Sequence, residues 1–167
     1  MIDEATLLAL LNSAPVIDGV RTDELADPDR AERWLRANKI PARAEDAAIL
    51  REARDLLQAV IRGDRRPSAL KPLLEGVVSR PAITAGGRLT WTVDLSGARA
   101  FAVDAMIAWD ELNRTRPGRL RACANDECAL FLLDRSKSNS ARWCSMSTCG
   151  NKLKARRHYQ RARTVEN

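Results

Sequence analysis

The stretch Cys123-Ala124-Asn125-Asp126-Glu127-Cys128 is followed fifteen residues later by Cys144-Ser145-Met146-Ser147-Thr148-Cys149, and together they hold every cysteine of the chain. Two short thiol pairs separated by a dozen or more residues have the layout of a tetrahedral zinc site, each pair supplying two ligands from a tight turn. One structural Zn2+ held by Cys123, Cys128, Cys144 and Cys149 is therefore the expected cofactor. Disulfides, with three connectivities, are the competing reading, and a cytoplasmic setting argues against them. A redox dithiol is a further alternative, weakened because its usual signature has two intervening residues and this sequence has four. Unpaired core thiols complete the alternatives. Four thiolates close a zinc shell and leave no position for water, so metal catalysis is not expected.

Between the pairs, Ala129-Leu130-Phe131-Leu132-Leu133-Asp134 reads as a strand. A Ser/Lys/Asn turn over 136–140 follows, then a second short strand, Ala141-Arg142-Trp143, entering Cys144. After Cys149 the chain reads as a helix through Arg163. Knuckle, hairpin, second knuckle and helix are the order of a treble-clef-like zinc fold. Residues 119–167 carry too few large apolar side chains to order themselves, so metal and the preceding segment are expected to hold this part together jointly.

The charge changes at the same place as the thiols. The chain of 167 residues carries a net +6, but residues 1–118 hold 17 Lys and Arg against 18 Asp and Glu, whereas residues 119–167 hold 11 against 4. On the predicted helix Lys154, Arg157 and Arg161 share one face, and Lys152, Arg156 and Arg163 form a second stripe. Like charges so close repel, and a polyanion relieves them; DNA is the expected partner. Arg142, Asn151, Lys152, Lys154, Arg156, Arg157, Arg161 and Arg163 are the candidate nucleic-acid contacts. A solvated or protein-binding basic face is the bland alternative, and a membrane surface is disfavoured because the helix lacks a wide apolar face. His158, the only histidine, lies roughly 13 Å along a helix from Cys149 and reads as a surface or phosphate-contacting side chain rather than a ligand.

Residues 1–116 read as a mainly helical domain with one small hairpin, joined to residues 117–167 through the breaker-rich Arg114-Thr115-Arg116-Pro117-Gly118. Leu7, Leu8, Leu10 and Leu11 form a short helix that stops at Asn12-Ser13-Ala14-Pro15. Asp27 caps a second helix with Pro28 in its first position. The strongest helix spans about 44–62, with Ile49, Ala53, Leu56, Leu57, Val60 and Ile61 at three- and four-residue steps and Gly63 past its end. A shorter helix is expected after Pro67. Residues 82–93 predict a hairpin about Gly86-Gly87, lying on the helices because two strands alone are marginal. A last helix from about Ser96 to Asn113 aligns Phe101, Ala105, Trp109 and Leu112. Trp34, Trp91 and Trp109 are expected in the core.

No apolar run approaches the roughly 18 residues that cross a bilayer, and the chain opens on Asp3-Glu4 where a secretory signal opens on bases; the expected compartment is the cytoplasm. Phosphate-loop, metalloprotease and nucleophile-elbow motifs are absent, the adjacent acid pairs read as solvated charge, and the chain is not expected to be an enzyme.

The segment Trp143-Cys144-Ser145-Met146-x-x-Cys149-Gly150-Asn151-Lys152 resembles the CGNR zinc finger family, with Lys152 where that signature has Arg. The resemblance implies a finger that ends in Cys-Gly-Asn-Arg before a basic helix. Members usually carry an N-terminal helical domain called ABATE, associated with stress-responsive transcription regulators, and Leu8-Ala9-Leu10-Leu11-Asn12-Ser13 is similar to part of that domain's opening motif. The expected function is a DNA-binding transcription regulator. Its finger presents a basic helix, and its N-terminal domain senses a small-molecule effector or forms a homodimer. The alternative is a zinc-stabilised protein-interaction module.

Overall fold

The computed structural model describes residues 2–17 and 19–156. The protein is mainly α-helical with small antiparallel hairpins. Helix α1 (Glu4–Leu11) starts where the Asp3 carboxylate accepts from the Thr6 N–H and stops at Asn12. Strands β1 (Val16–Ile17) and β2 (Val20–Arg21) form a short hairpin. Helix α2 (Pro28–Ala37) is capped by Asp27, with Pro28 in the position where a missing N–H costs nothing. A 3₁₀ turn at Ala44–Asp46 leads into α3 (Ala47–Arg62), which ends on Gly63 at φ +84°, a left-handed conformation that favours glycine.

The segment after Pro67 is 3₁₀ rather than α-helical over Pro67–Leu74, because Pro67 and Pro72 withhold two N–H groups from any α ladder; it still buries Leu70 and Leu73. Strands β3 (Ser79–Ile83) and β4 (Leu89–Val93) pair as a hairpin, and α4 (Gly97–Thr115) follows. Helices α1, α3 and α4 meet around Leu7, Leu11, Leu50, Leu57, Phe101 and Ala105, with Trp34 and Trp109 packed at the margin.

Polar residues of α3 complete this core. The Gln58 side chain donates to the Leu11 carbonyl at the end of α1, 2.7 Å away. Arg54, 2% exposed, donates to both oxygens of Asp23 at 2.7 and 2.9 Å, to Asp55 and to the Ser13 hydroxyl. A buried guanidinium is tolerable only when its charge and its N–H groups are matched in this way.

Two expectations from the sequence fail here. The β3–β4 hairpin does not lie on the helices: Ile83, Leu89 and Trp91 are 75%, 62% and 65% exposed, and Trp91 is not a core residue. Alternation of residue types fixes which side chains share a face, but not which face the body covers. The partner of the strand after Cys128 is also different. β5 (Leu120–Ala122) pairs antiparallel with β6 (Phe131–Leu133), and residues 141–143 join no sheet; instead the Ala124 N–H donates to the Arg142 carbonyl. The hairpin therefore surrounds the first thiol pair rather than following it.

Candidate metal centre and basic helix

The β5–β6 hairpin sets the first thiol pair. Its ladder runs on through the Cys123 N–H donating to the Leu130 carbonyl, so Cys123 and Cys128 sit at the hairpin tip. Asn125, buried, shapes that tip: its carbonyl accepts from the Cys128 N–H and its side-chain oxygen from the Glu127 N–H, an Asx-type turn. The second pair sits on a wide turn of π type, Met146–Gly150, in which the Gly150 N–H reaches back to the Ser145 carbonyl and the Ser145 hydroxyl accepts from the Thr148 N–H. The extra residue in this turn brings Cys149 back over Cys144. Gly150 is there for room: a Cβ at this position would fall 2.8 Å from Met146 Sδ and 3.2 Å from Trp143 Cδ1.

All four sulfurs lie within 4.8 Å of one another. Cys128 and Cys144 Sγ are 3.7 Å apart, and Cys144 and Cys149 Sγ 3.6 Å. A tetrahedron of thiolates at a zinc–sulfur distance of about 2.3 Å has edges of about 3.8 Å, whereas a disulfide needs about 2.05 Å. The donor set fits one structural Zn2+, and the disulfide alternative fails on distance.

Further groups point at the sulfurs. The Asn125 side-chain N–H donates to Cys149 Sγ and the Cys144 backbone N–H to Cys123 Sγ, each at 3.4 Å. Such N–H···S bonds orient the ligands and spread their negative charge. Burial pushes the Cys128 thiol up to about 11 and raises Cys144 as well. At Cys149 burial acts in the same direction, but the Asn125 N–H and the neighbouring thiols outweigh it and hold the group below its ordinary value. Four thiolates packed this closely repel one another, and they are held together only when a cation supplies the compensating charge.

The hairpin that carries Cys123 and Cys128 is also built into the helical body. Phe131 is 1% exposed within the core, and the Arg62 guanidinium lies over its ring at 4.6 Å. Asn12, at the end of α1, clasps the outer edge of β6: its amide donates to the Phe131 carbonyl at 3.2 Å and accepts from the Phe131 N–H at 2.7 Å. One side chain thus acts as a third strand. A cleft of about 890 Å³, lined by Leu8, Asn12, Val16, Cys128, Leu130 and Lys152 among others, runs between α1 and the thiol cluster.

The chain turns helical over 151–156 directly after Cys149. Asn151, Lys152, Lys154 and Arg156 are exposed, as is Arg142, whose guanidinium stacks on Trp143. Lys152 and Arg156 share a partner not expected from the sequence: Glu127, on the first knuckle, takes Lys152 Nζ on one oxygen at 2.8 Å and Arg156 on the other at 2.7 Å. The two bases hold the Glu127 carboxyl below its ordinary range. Arg157, His158, Arg161 and Arg163 lie outside the described residues.

By sequence Asp134 marks only the end of a strand. Its buried carboxylate accepts from the Ser136 and Ala141 N–H groups and from Arg121, all at 2.8 Å, and so folds the 135–141 loop that returns the chain to the second pair. The Ser136 contact is the main reason its carboxyl sits below the ordinary range.

A closed four-thiolate centre between a hairpin tip and the start of an exposed basic helix, carried by a mainly helical body, defines a zinc finger protein with an N-terminal helical domain. Residues 119–162 match the CGNR zinc finger, and residues 4–131 match ABATE, described as a putative stress-induced transcription regulator. The chain belongs to the ABATE family and carries a CGNR zinc finger. No curated protein matches it. Among the described residues no helix is long and apolar enough to cross a membrane.

Proposed function

We propose that this chain is a DNA-binding transcription regulator in which zinc fixes the start of a basic helix and the helix is laid on DNA. The observation that carries the reading is positional. The helix leaves directly from the last thiolate, and every base in its described turns remains exposed, Lys152 at 61% and Arg156 at 53% of the side chain. A base needed for internal packing would be covered instead.

The described part of this surface offers Arg142, Lys154 and the Glu127-bound pair Lys152 and Arg156; Arg157, Arg161 and Arg163 add three more charges along the same segment. Phosphate contacts position such a helix, and Asn151 or Arg156 are the groups suited to a base edge. Lys152, a point charge already engaged by Glu127, offers no planar fork for bidentate recognition. In this reading the cleft between α1 and the thiol cluster is where a small-molecule effector acts on the finger, because Asn12 and Cys128 both border it.

Duplex binding followed against salt tests the proposal. About five phosphate contacts predict a slope of log K against log salt of roughly −4 to −5. Substituting Lys154, Arg157 and Arg161 together by Gln flattens the slope by about 2–3 and releases the duplex. Duplex binding that is absent at low salt, or indifferent to these three changes, refutes the proposal and favours the protein-interaction module.

A further inference from the structure

The β3–β4 hairpin is turned inside out for a monomer. Cross-strand partners share a face, so Pro81, Ile83, Leu89, Trp91 and Val93 lie together on one side and Arg80, Ala82, Thr90 and Thr92 on the other. The apolar side faces solvent. Ile83, Leu89 and Trp91 alone leave on the order of 400 Å² of side chain exposed per copy, a contiguous apolar patch of the size that marks an interaction site.

The backbone of the hairpin says which edge is open. At the turn the Thr84 N–H donates to the Arg88 carbonyl. Hydrogen-bonded pairs recur every second residue, which places them at Ala82–Thr90 and Arg80–Thr92. The peptide groups of Pro81, Leu89, Trp91 and Val93 therefore point away from the hairpin. On β3 the outward position is Pro81, which has no N–H and blunts that edge. On β4 the outward groups of Leu89, Trp91 and Val93 have no backbone partner among the described residues. β4 is an unguarded edge strand of sequence Leu-Thr-Trp-Thr-Val.

We infer that β4 pairs antiparallel with β4 of a second copy of this chain, across a two-fold axis at Trp91. The sequence is self-complementary about that point. Trp91 meets the partner's Trp91, Leu89 the partner's Val93, and Thr90 the partner's Thr92. One step further out, Arg88 meets the partner's Asp94, and Asp94 the partner's Arg88, on the face opposite Trp91. Neither Arg88 nor Asp94 has an ion-pair partner among the described residues, and both are exposed. Moving the axis to Leu89 or Val93 loses both charge pairs and the Trp91 pairing, so the charges select this register. The result is a four-stranded sheet with Pro81 at each outer edge and one continuous apolar face, an isologous contact that closes on itself.

Sedimentation equilibrium of the full zinc-loaded chain tests this. The wild type is expected to dimerise reversibly. Arg88→Asp and Asp94→Arg each break two ion pairs and create two repulsions, and each raises the dissociation constant by about tenfold or more. Combining them restores opposite charges across the axis and returns the constant to within about threefold of wild type. Trp91→Pro removes the outward N–H at the axis without touching the pairing of β4 with β3, and abolishes the dimer with an unchanged helical circular dichroism signal. A chain that stays monomeric at about 1 mM overturns the inference. So does a dimer that ignores the charge reversals and the proline, because its interface then lies elsewhere.

Discussion

Replacing Asn12 measures how strongly the metal-bearing hairpin is bound to the helical body. In Asn12→Ala both bonds to the Phe131 backbone are lost, at 2.7 and 3.2 Å. Each neutral hydrogen bond contributes about 1 kcal/mol net, and a peptide group left buried without a partner costs about 1–3 kcal/mol more. Asn12 borders the cleft, so water reaches part of the gap, and the expected loss is about 2–4 kcal/mol. Asn12→Asp separates the two bonds. Its carboxylate still accepts from the Phe131 N–H but faces the Phe131 carbonyl with a second acceptor, so at pH 7 it costs at least about 2 kcal/mol. Protonation restores a donor to that position. The folded-state pKa of the new carboxyl is therefore raised, and the deficit relative to wild type shrinks as the pH falls toward 4. Urea unfolding with saturating zinc, measured for wild type and both variants at several pH values with a shared m-value, reads these differences. Losses below about 0.5 kcal/mol for both variants, or an Asn12→Asp deficit indifferent to pH, would refute the reasoning.

Asp23→Asn replaces the carboxylate that takes two Arg54 N–H groups by one neutral acceptor and a second donor, leaves Asp55 as the counter-charge in contact with the buried guanidinium, and is expected to cost about 2–4 kcal/mol in thermal or urea unfolding. Burial tends to raise the Asp23 carboxyl, but the Arg54 bonds outweigh it and hold the group below its ordinary value. Its contribution is thus complete above the unfolded-state value near pH 4 and is lost as the pH falls through the lowered folded value; Asp23→Asn flattens that acid limb. Glu127→Gln frees Lys152 and Arg156 from their shared carboxylate and is expected to tighten duplex binding at low salt and steepen the salt slope by up to about 1–2, read by fluorescence anisotropy. Elemental analysis is expected to give one zinc per chain, and chelation to expose four titratable thiols together; Cys144→Ser, which removes a central sulfur of the cluster, abolishes stoichiometric zinc.

The parts of this structure that were legible in the sequence are those fixed by local chemistry. Cysteine spacing announced the metal centre because each pair must fold back within one tight turn. Asp27-Pro28 and Gly63 marked helix ends because capping and left-handed geometry are properties of the residues themselves. What escaped depends on partners far along the chain. Leu120-Arg121-Ala122 has no β-branched residue and becomes a strand only because Phe131–Leu133 lies beside it. Asn12 opens the Asn12-Ser13-Ala14-Pro15 stretch that marks a helix stop, but its amide is claimed by the backbone of a residue 119 positions away. Glu127 carried no signal separating it from Asp126 until the turn at Asn125 turned it toward the helix. Hydrophobicity alone places Trp91 in the core, and hydrophobicity cannot distinguish a core residue from an exposed face.

The two family matches overlap over residues 119–131, which takes in β5, the first knuckle and the start of β6. That hairpin belongs physically to both halves. Its strands give Phe131 to the helical core and offer an outer edge to Asn12, while its tip gives two of the four sulfurs. The remaining two sulfurs come from a turn whose only other described ties to the first knuckle are the Ala124–Arg142 bond, the Asn125–Cys149 and Cys144–Cys123 contacts, and the Glu127 ion pairs. Exposed ion pairs contribute little, so the orientation of the basic helix relative to the body rests on the metal and a few hydrogen bonds. Anything that shifts β6 against α1 moves Cys128 directly, and through the shared ion moves Cys144, Cys149 and the helix that begins there. The path from the helical body to the basic surface is thus one strand, one metal and one turn long.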